Sequence, residues 1–118
     1  MHSGAEYESR AAHYLEQAGL QVLERNFSCK VGEIDLICSE GRQLVFVEVR
    51  RRSNPRYASA AASVTRSKQR KLLRTAQFYL QRRGWSNSRP CRFDVLAFSP
   101  AVTAEEDGIQ WLQNAFTM

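Results

Sequence analysis

Leu44-Val45-Phe46-Val47-Glu48-Val49 is the stretch from which the fold of this chain is read. Four of these six residues are β-branched or aromatic, which marks a strand buried on at least one face. Glu48 does not belong in such a strand. An unpaired carboxylate there costs on the order of several kcal/mol in desolvation, unless it is protonated, paired or bound to a cation. Just upstream, Glu33-Ile34-Asp35-Leu36-Ile37 repeats the anomaly with Asp35. Two acids embedded in neighbouring apolar strands point to a cation site.

The two stretches lie close enough to form a hairpin, residues 32–38 and 43–50, with Glu40-Gly41 expected as its turn. That turn sets Ser39 opposite Arg42 and Glu33 opposite Glu48. Period-two alternation then groups Glu33, Asp35, Phe46, Glu48 and Arg50 on one face, and Ile34, Leu36, Val45, Val47 and Val49 on the other.

Before the hairpin, residues 5–18 read as a helix. Ala5, Glu8, Ala12 and Leu15 share one face of it, and Gly19 suits its C-cap. A strand is expected over 20–27. After the hairpin, residues 51–63 form a loop broken by Asn54-Pro55, and 64–83 form the main helix. Leu72, Leu73, Ala76, Tyr79 and Leu80 make the inward stripe of that helix, and Arg66, Arg70, Arg74 and Gln77 its outer face. Lys68, one turn before Leu72, points toward the sheet. Strands over 91–98 and 109–116 complete the chain, with the acidic connection Glu105-Glu106-Asp107 exposed between them. The fold class is α/β, a central mixed sheet flanked by helices in the order α-β-β-β-α-β-β, in one domain over 1–118.

Composition is that of an ordinary globular domain, with 43% hydrophobic and 25% charged residues. No apolar run approaches the roughly 20 residues of a membrane span, and no secretory signal is visible at the N-terminus, so the expected location is the cytoplasm. Cys29, Cys38 and Cys91 are odd in number and widely spaced, which reads as reduced thiols. Trp85 and Trp111 read as packing residues, and Asp94 as a structural partner of Arg92.

The net charge of +5 is modest, but its distribution is not. No acid lies between Glu48 and Asp94, an interval that holds 13 of the 17 basic residues. Such segregation favours a polyanionic partner, most simply DNA. The contact set read from it is Arg51, Arg52, Arg56, Arg66, Arg70, Lys71 and Arg74. A solvated basic face is the plainer alternative on charge alone. A membrane surface is disfavoured, because the basic helix lacks a broad face of bulky apolar side chains.

Glu8, Asp35, Glu48 and Arg50 can be assembled into one site. Carboxylates are hard oxygen ligands and suit Mg²⁺ or Mn²⁺ better than zinc. Arg50, two residues beyond Glu48, lands on the same face and can hold a phosphate. A cation beside it can activate water and stabilise developing charge. The pattern is D-x(12)-E-x-[KR], met by Asp35, Glu48 and Arg50.

Taken together, Gly32-Glu33-Ile34-Asp35-Leu36-Ile37, Val45-Phe46-Val47-Glu48-Val49-Arg50-x-Arg52 and Arg92-Phe93-Asp94-Val95 make the chain similar to the bacterial YraN family. That family is regarded as endonuclease-like, akin to Holliday-junction resolvases and to the PD-(D/E)xK nucleases. The likeness runs nearly end to end, from Glu8-x-x-Ala11-Ala12 to Asn114-Ala115-Phe116. It implies a restriction-endonuclease-like core, with Asp35 and Glu48 as metal-binding acids and Glu8 completing the site from the first helix. Lys68 matches a basic position on the second helix, and Arg50 stands where the nuclease signature has lysine. Arginine cannot serve as a base near neutral pH, though it can clamp a phosphate bidentately. The functional expectation is a metal-dependent endonuclease acting on branched or structured DNA, with a homodimer for symmetric cutting. The alternative is a non-catalytic nucleic-acid-binding module on a degenerate nuclease fold.

Overall fold

The structure is a computed structural model that describes residues 4–51, 64–99 and 108–117. The elements are α1 (Gly4–Gln17), β1 (Gln21–Cys29), β2 (Gly32–Glu40), β3 (Gln43–Arg51), α2 (Arg66–Arg83), β4 (Cys91–Phe98) and β5 (Ile109–Phe116). Their order is the α-β-β-β-α-β-β read from the sequence. Most of the expected 51–63 loop, including Arg52 and Arg56, and the acidic stretch Glu105-Glu106-Asp107 lie outside the described residues.

The five strands make one sheet in the order β1-β2-β3-β4-β5. All neighbours are antiparallel except β3 and β4, which are parallel and joined through α2. A parallel pair needs such a crossover, and a helix here also covers one face of the sheet. The Thr65 side chain caps α2 by accepting from the Lys68 N–H at 3.2 Å. At the other end the Trp85 N–H reaches back to the Leu80 carbonyl at 2.8 Å, which closes the last turn.

Each helix buries one stripe. On the α2 side Leu72, Ala76, Tyr79 and Leu80 pack over Phe27, Ile37, Phe46 and Phe93. The Phe46 ring stacks on Phe93 at 5.2 Å and meets Tyr79 edge-on at 6.1 Å. On the α1 side Ala11, Ala12 and Leu15 pack over Leu36, Val45, Val47 and Leu96. Leu73 is only half-buried, and Thr75 takes a fully buried place instead. Thr75 can do so because its hydroxyl donates to the Lys71 carbonyl at 2.8 Å within the same helix.

Two features of the hairpin differ from expectation. Its turn is Gly41-Arg42, not Glu40-Gly41, since Glu40 pairs with Gln43 and Leu36 with Val47. Gly41 at φ +60° stands at the first central position, where a type II′ turn demands a positive φ. The pairing thereby slides by an even number of residues, so side chains keep their faces. Asp35, not Glu33, comes level with Glu48. The second difference is Ile34, which joins the α2-side core, whereas Leu36 joins the α1-side core. Residues two apart in a regular strand share a face, so alternation slips at Asp35. The cause lies across the strand pair. In the register of Arg25 with Leu36 and Phe27 with Ile34, Asn26 stands opposite Asp35, and Asn26 has a left-handed φ of 53°.

Gly32 lets the β1–β2 turn lie against α2. A Cβ there would come within 2.8 Å of Thr75 Oγ1 and 3.5 Å of Lys71 Cγ. The Thr75 hydroxyl is held by its own hydrogen bond and cannot swing away without losing it. Gly32→Ala is therefore expected to destabilise the protein by about 1–3 kcal/mol in denaturant unfolding. Gly32→Ala combined with Thr75→Ala should recover part of that loss. Equal stability of Gly32→Ala and wild type would show that the approach is looser than described.

Candidate active site at the fork of the sheet

β2 and β3 are paired from Glu40–Gln43 only as far as Leu36–Val47. Beyond that point β2 stays with β1 through Ile34, Glu33 and Gly32. β3 stays with β4 through Glu48, Val49, Arg50 and Arg51. The sheet forks there, and Asp35 and Glu48 sit at the fork. Asp35 Oδ2 accepts the Val49 N–H at 2.9 Å, so this carboxylate fills the gap that the missing ladder bond leaves.

Glu48 is 4% exposed. Burial first, and then the charge of Asp35, push its carboxyl up to about 7, against the pull of Lys68 and Arg50. Lys68 Nζ lies 2.7 Å from Glu48 Oε1, and Arg50 Nη1 lies 3.9 Å from the same oxygen. The inward line through Lys68 and Leu72 thus ends on Glu48.

Glu8 reaches the fork from α1. Its carboxyl is raised by burial, then by the charge of Asp35, and also by a hydrogen bond with Asp35. Asn26 counteracts this shift. With its amide nitrogen turned toward α1, Asn26 donates to Glu8 Oε2 at 3.0 Å. Asn26 was not read as a site residue, because a polar residue in a strand looks solvent-facing. Asparagine's tolerance of the left-handed region was the available signal.

Glu8, Asp35, Glu48, Arg50 and Lys68 therefore come together from α1, β2, β3 and α2. Among the described residues, no three His, Cys, Asp or Glu side chains form a ready-made cage for a metal ion. Two of the carboxylates already have partners. The Lys68 ammonium occupies Glu48, and the Val49 amide occupies one oxygen of Asp35. The donor set nonetheless suits a hard divalent cation. Glu8 and Glu48 are both pushed up by the charge of Asp35, a repulsion that a cation among them relieves. Lys68 stands in for part of that positive charge.

The other expected residues are dispersed. Glu33 is exposed on the wall of a cleft of about 510 Å³ between the β1–β2 turn and the start of α2, which Lys68 and Lys71 also line. Arg66, Arg70 and Arg74 are exposed on α2. Arg51 lies over the Tyr7 ring at 5.4 Å, on the α1 side. The Cys38 thiol is buried and pushed up to about 12 by that burial, which leaves it inert as a nucleophile. Asp94 pairs with Arg92, as expected.

Residues 7–98 match the family described as "Uncharacterised protein family UPF0102". The chain belongs to the UPF0102 family. A UPF0102 protein of Janthinobacterium sp. (strain Marseille) is 50% identical over 113 residues, 96% of this chain and 85% of that protein. A UPF0102 protein of Saccharophagus degradans is 48% identical over 116 residues, 98% of this chain and 93% of its own length. One of Nitrosococcus oceani is 45% identical over 115 residues, covering 96% and 90% of the two chains. The UPF0102 match spans every residue at the fork: Glu8, Asn26, Asp35, Glu48, Arg50 and Lys68. Among the described residues, no helix of this UPF0102 member is long and apolar enough to cross a membrane.

Proposed function

We propose that this protein is a divalent-cation-dependent endonuclease of the cytoplasm that hydrolyses DNA phosphodiesters at the fork between β2 and β3. The observation that carries this reading is the convergence of three acids at a break in the sheet, one of them buried and held near neutrality. Asp35, Glu48 and Glu8 would hold Mg²⁺ or Mn²⁺. When bound, the cation supplies Lewis acidity for attack of water on phosphorus.

Arg50 presents a planar fork of donors to the scissile phosphate and offsets the charge that develops on it. It replaces the lysine of the nuclease signature in phosphate holding, not in proton transfer. Lys68 has a flexible stem and three donors. Released from that carboxylate, its ammonium would reach the attacking water or the leaving oxygen. The basic residues that follow Glu48 hold the flanking backbone. A homodimer would set two such sites on the two strands of a branched DNA.

One contact favours a second reading. The 2.7 Å pair of Lys68 with Glu48 already neutralises the buried acid, as a non-catalytic nucleic-acid-binding module on the same fold would require. Titration of Mg²⁺ and Mn²⁺ in a nicking assay on branched and linear DNA separates the two. Wild type is expected to nick in proportion to cation occupancy, and Asp35→Ala to lose nicking while still binding DNA. Binding without any cation-dependent difference between the two proteins would leave only the second reading standing.

A further inference from the structure

Helix α2 runs Arg66-Ser67-Lys68-Gln69-Arg70-Lys71-Leu72-Leu73-Arg74 over its first half and contains no acid anywhere. Arg66, Arg70 and Arg74 are exposed at i, i+4 and i+8, so they form a column on one face. Among the described residues none of the three has an ion pair, hydrogen bond or ring contact. Like charges four apart on a helix repel, and this column holds two such pairs. Arg66 also opens the helix, where the dipole disfavours a cation. The free protein therefore holds this column at a cost to its own stability, and an anion laid along it removes that cost.

The surroundings fit a phosphodiester strand. Arg66 and Arg70 line a cleft of about 480 Å³ with Gln69, Leu73, Phe116 and Thr117, and no acid shares it. Gln69 is pinned there, its Nε2 donating to the Val64 carbonyl at 3.0 Å. Leu73 and Phe116 form an apolar part of the wall, on which a sugar or base edge can rest. Four residues of helix rise about 6 Å, close to the spacing of successive phosphates along a strand. The column begins in the same helical turn as Lys68, whose ammonium lies on Glu48. It then runs away from the fork.

Building on the nuclease reading, we propose that Arg66, Arg70 and Arg74 are a ladder for three successive phosphates of one nucleic-acid strand leaving the fork, with the Arg66–Arg70 rung in the cleft beside Phe116. The ligand is then a polymer extending several nucleotides to one side of the site, not a mononucleotide or dinucleotide. The ladder sets affinity and strand direction, while the acids at the fork carry the chemistry.

The test is the salt dependence of binding to a fluorescent DNA 20-mer and a 4-mer, single-stranded and duplex, at 50–200 mM NaCl. Wild type is compared with Arg70→Gln, Arg70→Lys and the triple Arg66→Gln/Arg70→Gln/Arg74→Gln. Each lost rung is expected to lower the slope of log K against log salt by about 0.7–0.9, and the triple variant by about 2–3. Arg70→Lys should keep the slope, and the triple variant should no longer favour the 20-mer over the 4-mer by the wild-type margin. In the absence of DNA, added salt should raise the Tm of wild type more than that of the triple variant, because screening relieves the column. Wild-type binding with an unchanged slope in the triple variant overturns the ladder alone. Absence of salt-dependent DNA binding by wild type overturns the nuclease reading and the ladder together. Binding to vesicles of phosphatidylserine with phosphatidylcholine, but not to DNA, does the same.

Discussion

Glu48→Gln is expected to reduce cation-dependent cleavage by about 10³-fold or more, while making the cation-free protein more stable at pH 8. The first effect follows from the proposed endonuclease reading, in which Glu48 would be a charged ligand and electrostatic stabilisation dominates phosphoryl transfer. The second follows from burial. At 4% exposure, Glu48 is held up to about 7 by desolvation first and by Asp35 second. A folded-state value above the ordinary 4.5 means that the folded chain binds the proton more tightly than the unfolded one. The contribution to stability is then fully present below about 4.5 and is lost as pH rises through about 7.

Above pH 7 the wild type carries a buried carboxylate that the neutral glutamine lacks. The variant should be more stable there by on the order of 1–3 kcal/mol. Lys68 offsets little of this gain when it loses its partner, because its side chain is 43% exposed and returns to water. Adding Mg²⁺ or Mn²⁺ at pH 8 should stabilise the wild type and leave Glu48→Gln unmoved, by simple linkage. Thermal unfolding of both proteins from pH 5 to pH 8.5, with and without cation, measures all of this. A glutamine variant less stable than wild type at pH 8 would mean that Lys68 already satisfies the ionised acid, and the metal reading of the fork would fail with it.

Most of the architecture was legible because hydrophobic periods of 3.6 and 2 are written plainly in this chain. Leu72, Ala76, Tyr79 and Leu80 recur as a helix stripe, and Val45, Val47 and Phe46 alternate as a strand. The convergence on Glu48 was legible for the same reason, since Lys68 extends the line of Leu72 inward. The hairpin register was not. Glu40-Gly41 and Gly41-Arg42 are equally good turns on composition, since glycine supplies the positive φ in either, and only the pairing of Glu40 with Gln43 selects between them. The slip at Asp35 was also hidden, because it depends on one residue in another strand, Asn26, adopting a left-handed backbone. That slip moves Ile34 into the α2-side core and leaves Asp35 at the fork to take the Val49 amide. Local irregularity at a site is thus where pattern reading fails, since the irregularity is what builds the site.

Asp94 presents the same anomaly as Glu48, an acid in an apolar strand, and substitution should separate the two. Asp94 is fully buried, and its neighbours are all fixed donors. It accepts from Arg92 Nε at 3.1 and 3.2 Å, from Trp111 Nε1 at 2.9 Å and from the Asn114 N–H at 2.9 Å. Asn114, at φ 52°, lies in the irregular stretch of β5, so the carboxylate pins that edge strand to β4. Arg92 in turn donates to Glu40 and Gln43 at 3.0 Å each, which ties in the β2–β3 turn, while its Nη2 is buried without a partner. Removing Asp94 takes the buried carboxylate from a guanidinium whose side chain is only 10% exposed and leaves it the half-exposed Glu40 and the Gln43 amide. Asp94→Ala is therefore expected to cost about 3–5 kcal/mol, which lowers Tm by roughly 15 °C. Asp94→Leu with Arg92→Leu removes both charges together and should recover a large part of that loss, short of the acceptors owed to Trp111 and Asn114. Glu48→Gln, by contrast, should cost no stability at pH 8, because the neighbours of Glu48 are another acid and two part-exposed cations, Lys68 and Arg50, that can turn to water. An Asp94→Ala protein as stable as wild type would remove this distinction between an acid that holds the sheet together and one that the sheet holds ready for a cation.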